Sequence, residues 1–96
     1  MGTRQYWTYI LVSSSGNAMY IGVTNDLERR IWEHRNGQGS TFAKKYRATR
    51  LVYAEEYDNP NDAIAREKQL KGLRRERKNE LVRTINPEFR DLMPSE

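Results

Sequence analysis

The order of segments along this sequence predicts an α+β fold, with a three-stranded antiparallel sheet flanked by helices in the order β-β-α-β-α-α. Two short segments near the N-terminus are rich in aromatic and β-branched residues and are joined by a polar turn. Three later segments carry helix start and stop signals, and one more apolar segment separates the first from the second. Because 96 residues suffice for one small core, we expect a single domain over residues 1–96 with its core at about 6–92.

The first two strands are predicted to form a hairpin. Residues 6–12 (YWTYILV) and 19–23 (MYIGV) have strand composition, and the polar turn between them is short enough to join antiparallel neighbours. Gly22 interrupts the second strand, which indicates either a β-bulge or a close backbone approach.

The first helix is predicted to follow directly. Asn25 is expected to cap a helix that begins at Asp26, and Glu28 completes a capping-box-like pattern. Asn36-Gly37 is expected to end this helix, since glycine readily adopts the left-handed conformation found at helix ends. Residues 37–49 are polar and basic and are expected to form a loop.

The third strand is predicted at residues 50–57, and two more helices follow it. Asn59 is a cap candidate and Pro60 a first-turn residue for the second helix, which Gly72 breaks or ends. The third helix is predicted at residues 74–86. Its apolar side is expected to comprise Leu81, Val82 and Ile85, and the tail after Pro87 is expected to pack Phe89, Leu92 and Met93 against the body.

Composition excludes several kinds of site. The absence of cysteine excludes disulfides and thiolate metal sites, and a single histidine argues against structural zinc. Without a long apolar run or a signal peptide, the chain is expected to be soluble and cytoplasmic, with no membrane contact. The net charge of +4 favours an anionic partner. Residues 66–77 concentrate basic side chains, which form either a nucleic-acid-facing patch or a solvated surface.

Two polar side chains of the first helix lie beside its predicted buried face. Leu27 and Ile31 define that face, and Arg30 and His34 fall together on one side of it. One interpretation is structural, with the arginine stem covering the sheet edge and His34 half-buried. The other is that both side chains belong to a site.

The second helix carries a carboxylate in a similar position. Ala63, Ile64 and Leu70 fall within one arc of the helical wheel, and Glu67 lies inside that arc. A carboxylate there is costly unless it is paired, hydrated or bound to a metal. A salt bridge to Lys71 four residues later is the structural alternative.

These residues make chemical sense together. Tyr9 and Tyr20 lie mid-strand in the hairpin, where either one alone is usually a core residue. With an arginine, a histidine and a carboxylate from adjacent elements, they supply a base, a cation for developing phosphoryl charge and an oxygen ligand for a hard metal ion. Phosphodiester hydrolysis needs these parts.

The sequence also resembles the GIY-YIG nuclease superfamily over about residues 6–92, especially its small stand-alone bacterial members (UPF0213-like). The second signature triplet is intact as YIG at residues 20–22. The first triplet is WTY, so Trp7-Thr8 replaces its Gly-Ile pair and only Tyr9 is retained. The family fold, a three-stranded antiparallel sheet flanked by helices, agrees with the fold predicted above.

The resemblance implies a role for each candidate residue. The ten-residue step from Tyr20 to Arg30 and the four-residue step to His34 match the family pattern, as does Glu67 in the following helix. By this resemblance Tyr9 and Tyr20 shape the active site, and one of them helps to activate the attacking water. Arg30 stabilises the pentacoordinate phosphate, and His34 assists proton transfer or orientation. Glu67 holds one divalent ion, Mg²⁺ or Mn²⁺.

The expected partner is nucleic acid, with DNA favoured. Small members of the family carry a lysine pair that corresponds to Lys71 and Lys78, and an NP-x-aromatic-x-DL tail seen here as NPEFRDL. The late asparagine of larger members has two candidates, Asn79 and Asn86. Family nucleases often take site preference from an added DNA-binding domain, a role that a protein partner could fill here. The side chains expected to contact nucleic acid are Lys44, Lys45, Lys71, Arg74, Arg75 and Lys78.

Three functions follow from these observations. The first is a Mg²⁺-dependent endonuclease that acts on DNA. The second is a catalytically weak nucleic-acid-binding domain that keeps the nuclease fold. The third is a structural or partner-binding module with a solvated basic face, which leaves Arg30 and Glu67 without a purpose.

Overall fold

The computed structural model describes residues 5–37, 45 and 47–94. It confirms the predicted order β-β-α-β-α-α. The elements are β1 (Tyr6–Ser13), β2 (Met19–Thr24), α1 (Leu27–Arg35), β3 (Ala48–Tyr57), α2 (Pro60–Lys71) and α3 (Arg75–Ile85). Most of the loop predicted at residues 37–49, including Lys44, lies outside the described residues.

The three strands form one antiparallel sheet in the order β2-β1-β3. The β1–β2 pairing is regular and places Tyr9 opposite Gly22. The β1–β3 pairing shifts register twice, at Ile10/Leu11 and at Val12/Ser13. These irregularities give β3 ten residues against eight in β1, so β3 begins at Ala48 rather than at the predicted Arg50.

The sheet buries a different apolar cluster on each face because alternate residues of a strand point to opposite sides. On one face, side chains of the sheet pack against Leu70 of α2 and Val82 of α3. The sheet residues on that face are Ile10, Val12, Ile21, Val52 and Tyr53. On the other face, Ile31 of α1 packs against Tyr9, Leu11 and Leu51. The central strand therefore contributes to both clusters.

The N-terminus of α1 differs from the prediction by one residue. The cap is Asp26, not Asn25, and the helix begins at Leu27. The Asp26 carboxylate accepts a hydrogen bond from the Arg29 amide at 3.2 Å. The Thr24 hydroxyl accepts from the Asp26 amide, and this bond fixes the chain just before the helix. The expected end is confirmed, with Asn36 as the C-cap and Gly37 at φ +77°.

The second helix begins and ends as predicted, with Asn59 as the cap and Gly72 after its last residue. Ala63 and Leu70 are fully buried, but Ile64 is 40% exposed, so its expected burial is wrong. At about 100° per residue, Leu70 lies within about 20° of Ala63 on the wheel, whereas Ile64 lies about 100° away. Glu67 is thus nearer the centre of the buried stripe than Ile64 is.

The third helix and the tail are only partly packed as predicted. Val82 is fully buried, and Leu81 and Phe89 pack against the same apolar cluster. Ile85 and Leu92 were expected to be buried but are 57% and 46% exposed. Ile85 lies in the last turn of α3, beyond that cluster. The tail crosses to the opposite face of the sheet, where Met93 packs against the α1-side cluster.

Two polar side chains hold the tail in place. The Asn86 amide donates to the Val52 and Arg90 carbonyl oxygens at 3.0 and 2.8 Å. Arg35 donates to both carboxylate oxygens of Asp91 at 3.0 and 2.8 Å. Among the described residues, no helix combines the length and apolar character that crossing a bilayer requires.

Candidate active site

Tyr9 and Tyr20 lie side by side on the sheet face that α1 covers. Their ring centroids are 6.2 Å apart. A Cβ atom on Gly22 would lie 2.5 Å from the Tyr9 hydroxyl oxygen and 3.0 Å from Cε1 of Tyr20. The glycine is therefore required because the Tyr9 side chain crosses it. The strand pair has no bulge, and the close approach to Gly22 is made by side chains rather than by backbone.

His34 completes a cluster of three rings with the two tyrosines, which we call the aromatic cluster. Its Nε2 atom lies 3.0 Å from the Tyr9 hydroxyl oxygen. Its ring centroid is 6.0 Å from that of Tyr9 and 5.3 Å from that of Tyr20. The helical spacing that places Ile31 in the core also turns His34 inward, so the imidazole is only 4% exposed. It is buried more deeply than the half-buried position expected of a structural histidine.

The environment of His34 keeps the imidazole uncharged. Burial, together with the charge of Arg30, lowers its pKa from 6.5 to about 4, although Glu33 acts in the opposite direction. The Nδ1 atom is buried and has no hydrogen-bond partner within the described part of the chain. At neutral pH the ring is therefore a neutral hydrogen-bonding group.

Arg30 lies between the aromatic cluster and solvent, and its side chain is 30% exposed. Its guanidinium interacts with the hydroxyls of Tyr9 and Tyr20, and Nη1 donates to Glu33 Oε1 at 3.1 Å. Although burial acts to lower it, these hydrogen bonds raise the pKa of Arg30 above its usual value. The arrangement presents a permanent positive charge at the edge of the cluster.

The Tyr9 hydroxyl is held in its protonated form. The residue is fully buried, and this burial raises the pKa of Tyr9 well above its usual value. The neighbouring Tyr20 adds to the increase, while Arg30 acts in the opposite direction. Tyr9 is thus a neutral hydrogen-bonding group at physiological pH.

Glu67 lies on α2 with its side chain 21% exposed, and it forms the salt bridge with Lys71 that was the structural alternative. The carboxylate Oε2 is 3.4 Å from the Lys71 Nζ. Lys71 in turn lines a groove of about 300 Å³ together with Tyr20. We call it the lysine groove, and it is lined by Met19, Tyr20, Ile21, Lys71 and Lys78. Tyr20 therefore connects the aromatic cluster to the partner of Glu67.

A metal ion at Glu67 would have few protein ligands. Among the described residues, no three side chains of the types His, Cys, Asp and Glu lie close enough together to hold a metal ion. Mg²⁺ commonly keeps several waters and takes only one or two carboxylates, so a single glutamate such as Glu67 fits that ion.

The basic residues expected to contact nucleic acid fall into different environments. Lys71 and Lys78 both line the lysine groove, and Arg74 and Lys45 are exposed. Arg75 is instead bound to the β1–β2 turn, where its guanidinium donates to the Gly16 and Asn17 carbonyl oxygens. Its third contact is with Asn79. Of the residues expected to contact nucleic acid, Lys71 and Lys78 therefore line the groove, whereas Arg75 has a structural role.

Sequence reasoning missed Glu33, which pairs with Arg30 at the edge of the aromatic cluster. The signal was the three-residue spacing of opposite charges, but the same spacing is common on solvated helix faces. Both candidates for the late asparagine have structural contacts. Asn79 accepts a hydrogen bond from Arg75, and Asn86 is buried against the tail.

Comparison with known proteins gives consistent matches along most of the chain. The family model of the GIY-YIG catalytic domain matches residues 5–80. A UPF0213 protein of Staphylococcus saprophyticus is 36% identical over 78 residues, 81% of this chain and 94% of that protein. A UPF0213 protein of Haloquadratum walsbyi is 36% identical over 79 residues, 82% of this chain and 89% of that protein. The solution NMR structure of the UPF0213 protein BH0048 from Bacillus halodurans matches with a TM-score of 0.58 and 29% identity, covering 91% of this chain and 92% of that one.

Proposed function

Because this chain belongs to the GIY-YIG catalytic domain family, we propose that it is a metal-dependent endonuclease that hydrolyses phosphodiester bonds in DNA. The observation that carries the proposal is the position of Arg30. Its guanidinium interacts with both tyrosine hydroxyls and is still partly exposed. A phosphate at that edge meets a fixed positive charge, which stabilises the extra negative charge of the pentacoordinate transition state.

Tyr20 is the tyrosine that contacts the attacking water. It lines the open lysine groove, whereas Tyr9 is fully buried and holds its proton. Hydrogen bonding with Tyr20 contributes to the raised pKa of Tyr9, as expected if the Tyr9 hydroxyl donates to the Tyr20 oxygen. Tyr9 is then a positioning residue for Tyr20.

His34 orients Tyr9 and Tyr20 and transfers no proton between the two tyrosines. Its Nε2 atom is hydrogen-bonded to the Tyr9 hydroxyl, and with a pKa of about 4 it is uncharged at neutral pH. Of the two roles that the resemblance allows, the geometry therefore supports orientation.

Glu67 would hold the divalent ion, Mg²⁺ or Mn²⁺, which supplies Lewis-acid stabilisation of the phosphate and the leaving oxygen when it is bound. Lys71 and Lys78 would contact the substrate backbone from the lysine groove, since both residues line it and lysine side chains bind phosphates. Lys71 would also exchange its contact with Glu67 for a phosphate contact.

The second function, nucleic-acid binding without appreciable cleavage, is supported by one specific observation. The Glu67 carboxylate is paired with Lys71 at 3.4 Å, a contact that competes with any metal ion. In this function the lysine groove binds the phosphate backbone and the aromatic cluster is a packing feature.

Nicking of supercoiled plasmid tests the proposal. We expect cleavage with Mg²⁺ or Mn²⁺, none with EDTA, and loss of cleavage in Glu67→Ala and Arg30→Ala. Matched controls are Glu80→Gln, which alters an exposed carboxylate paired on a helix, and Arg29→Ala, which removes the exposed neighbour of Arg30.

Each outcome discriminates between the two functions. Cleavage that survives both Glu67→Ala and Arg30→Ala would indicate a contaminating nuclease and overturn the proposal. Salt-dependent DNA binding without cleavage by the unaltered protein would favour the second function, since phosphate contacts release counterions.

A further inference from the structure

Glu33 is the carboxylate nearest to the aromatic cluster on α1, and each of its oxygens pairs with an arginine. Oε1 accepts from Arg30 Nη1 at 3.1 Å, and Oε2 is 3.4 Å from Arg29 Nε. The two arginines differ greatly in exposure. The Arg29 side chain is 74% exposed, whereas those of Arg30 and Glu33 are 30% and 23% exposed. The Arg29–Glu33 pair is an ordinary surface salt bridge, whereas the Arg30–Glu33 pair is largely shielded from water.

The Arg30 guanidinium is consequently held from two sides. Glu33 accepts from Nη1, and the hydroxyls of Tyr9 and Tyr20 interact with the guanidinium from the side of the aromatic cluster. A guanidinium is planar, so a hydrogen bond at one nitrogen also fixes the directions of the other N–H groups. Without Glu33, the tyrosine hydroxyls alone would hold a long and flexible side chain.

We propose that Glu33 is a positioning residue that fixes the Arg30 guanidinium against Tyr9 and Tyr20. Its catalytic consequence rests on the proposed function, in which Arg30 contacts the phosphate. Glu33 itself contacts no reacting atom. Because the amide of a glutamine also offers an acceptor oxygen, Glu33→Gln retains most of the positioning, and Glu33→Ala removes it.

Kinetics of cleavage test the catalytic consequence. We expect Glu33→Ala to lower kcat by about tenfold with a change in KM below about threefold, because the lost interaction positions a group that acts in the transition state. Glu33→Gln should stay within about threefold of the unaltered protein in kcat. One control is Arg29→Gln, which removes the second arginine that pairs with Glu33. The other is Glu28→Gln, which alters an exposed carboxylate of the same helix. Both should cleave normally.

The side-chain NMR signals of Arg30 give a readout that does not depend on cleavage. A guanidinium with restricted rotation shows separate Nη–H signals, and free rotation averages them. We expect separate signals, assigned by their absence in Arg30→Lys, that persist in Glu33→Gln and average in Glu33→Ala. Unchanged Arg30 signals in Glu33→Ala would overturn the proposal, as would a kcat equal to or above that of Arg29→Gln.

The two proposals fail in different ways. If the protein cleaves no DNA but the Arg30 signals average in Glu33→Ala, then the endonuclease proposal fails and the positioning stands. If it cleaves DNA and Glu33→Ala behaves like Glu28→Gln in both measurements, then the positioning fails and the nuclease stands.

Discussion

The Tyr9 hydroxyl oxygen lies 3.0 Å from Nε2 of His34, and both side chains are closed off from solvent. Either tautomer of the neutral ring can make this bond. If Nε2 accepts, then Nδ1 is a buried N–H without a partner among the described residues. If Nε2–H donates, then Nδ1 is an unpaired acceptor. Since orphaned buried N–H groups are rarer than unpaired acceptors, we expect His34 to donate to Tyr9, which leaves the Tyr9 proton free to point at Tyr20.

Substitution of Gly22 by alanine should disrupt the aromatic cluster. The added methyl group would lie 2.5 Å from the Tyr9 hydroxyl oxygen and 2.6 Å from its Cζ, so the ring must shift. We expect a loss of about 1–3 kcal/mol in the free energy of unfolding, the usual cost of overpacking, together with weakened cleavage. Urea denaturation measures the first effect and plasmid nicking the second.

Gly72→Ala is the matched control for Gly22→Ala. Gly72 ends α2 with φ −79°, and the nearest heavy atom to an added methyl group is a backbone oxygen at 3.5 Å. The change in stability should therefore stay within about 0.5 kcal/mol. Equal effects of the two substitutions would show that the contact between Tyr9 and Gly22 is not tightly packed.

His34 should titrate far below its ordinary value. Because the chain has one histidine, its ¹⁵N signals need no assignment. They should report a neutral imidazole with hydrogen on Nε2 at pH 7 and a pKa of about 4. A pKa near 6.5, or hydrogen on Nδ1, would contradict the burial and the hydrogen-bond direction described here.

The same titration makes stability depend on pH. The folded-state pKa is below the unfolded value of 6.5, so the unfolded chain binds the proton first. Stability should fall as the pH drops from about 6.5 to about 4, by about 3.5 kcal/mol at about 1.4 kcal/mol per pKa unit. The denaturant midpoint of His34→Gln should not show this dependence between about pH 4.5 and 6.5. Below about pH 4.5 the carboxylates also bind protons, so the comparison is limited to this range.

Two neighbouring basic residues should respond differently to substitution. Lys78 lines the lysine groove, so Lys78→Ala should weaken DNA binding and reduce the slope of log K against log salt by about 1, with little change in stability. Arg75 holds the β1–β2 turn, so Arg75→Ala should cost about 1–2 kcal/mol of stability through lost hydrogen bonds. Salt titrations of binding and thermal denaturation separate the two effects. If Arg75→Ala weakened DNA binding more than Lys78→Ala does, both assignments would be wrong.

The fold was predictable from sequence because its signals are local. Strand composition, the polar turn and helix caps each depend on a few neighbouring residues, and the resulting errors are small, such as Asp26 rather than Asn25 as the cap of α1. The double register shift of β3 was not predictable, because it depends on how Leu51 and Val52 pack on opposite faces.

The site was predictable as a group of residues but not in its electrostatics. Arg30 and His34 could be identified because they are polar residues beside an apolar stripe. Tyr20 could be identified from its ten-residue spacing to Arg30. Nothing local distinguishes the buried Tyr9 from the partly exposed Tyr20, because that difference arises from the strand order and the covering helix. Glu33 was overlooked for a similar reason, since its pairing with Arg30 has the spacing of an ordinary surface salt bridge.

The two tyrosines should therefore differ in their importance for cleavage. Tyr20→Phe removes the hydroxyl that contacts the attacking water, so we expect kcat to fall by about 10²–10⁴, the usual contribution of general acid–base catalysis. Tyr9→Phe keeps the buried ring but loses the hydrogen bond to His34, which should cost about 1 kcal/mol of stability and a smaller part of kcat. Single-turnover cleavage and denaturation of both variants measure the difference. If Tyr9→Phe lost as much kcat as Tyr20→Phe at equal stability, then Tyr9 would have to act on the water itself, which its complete burial opposes.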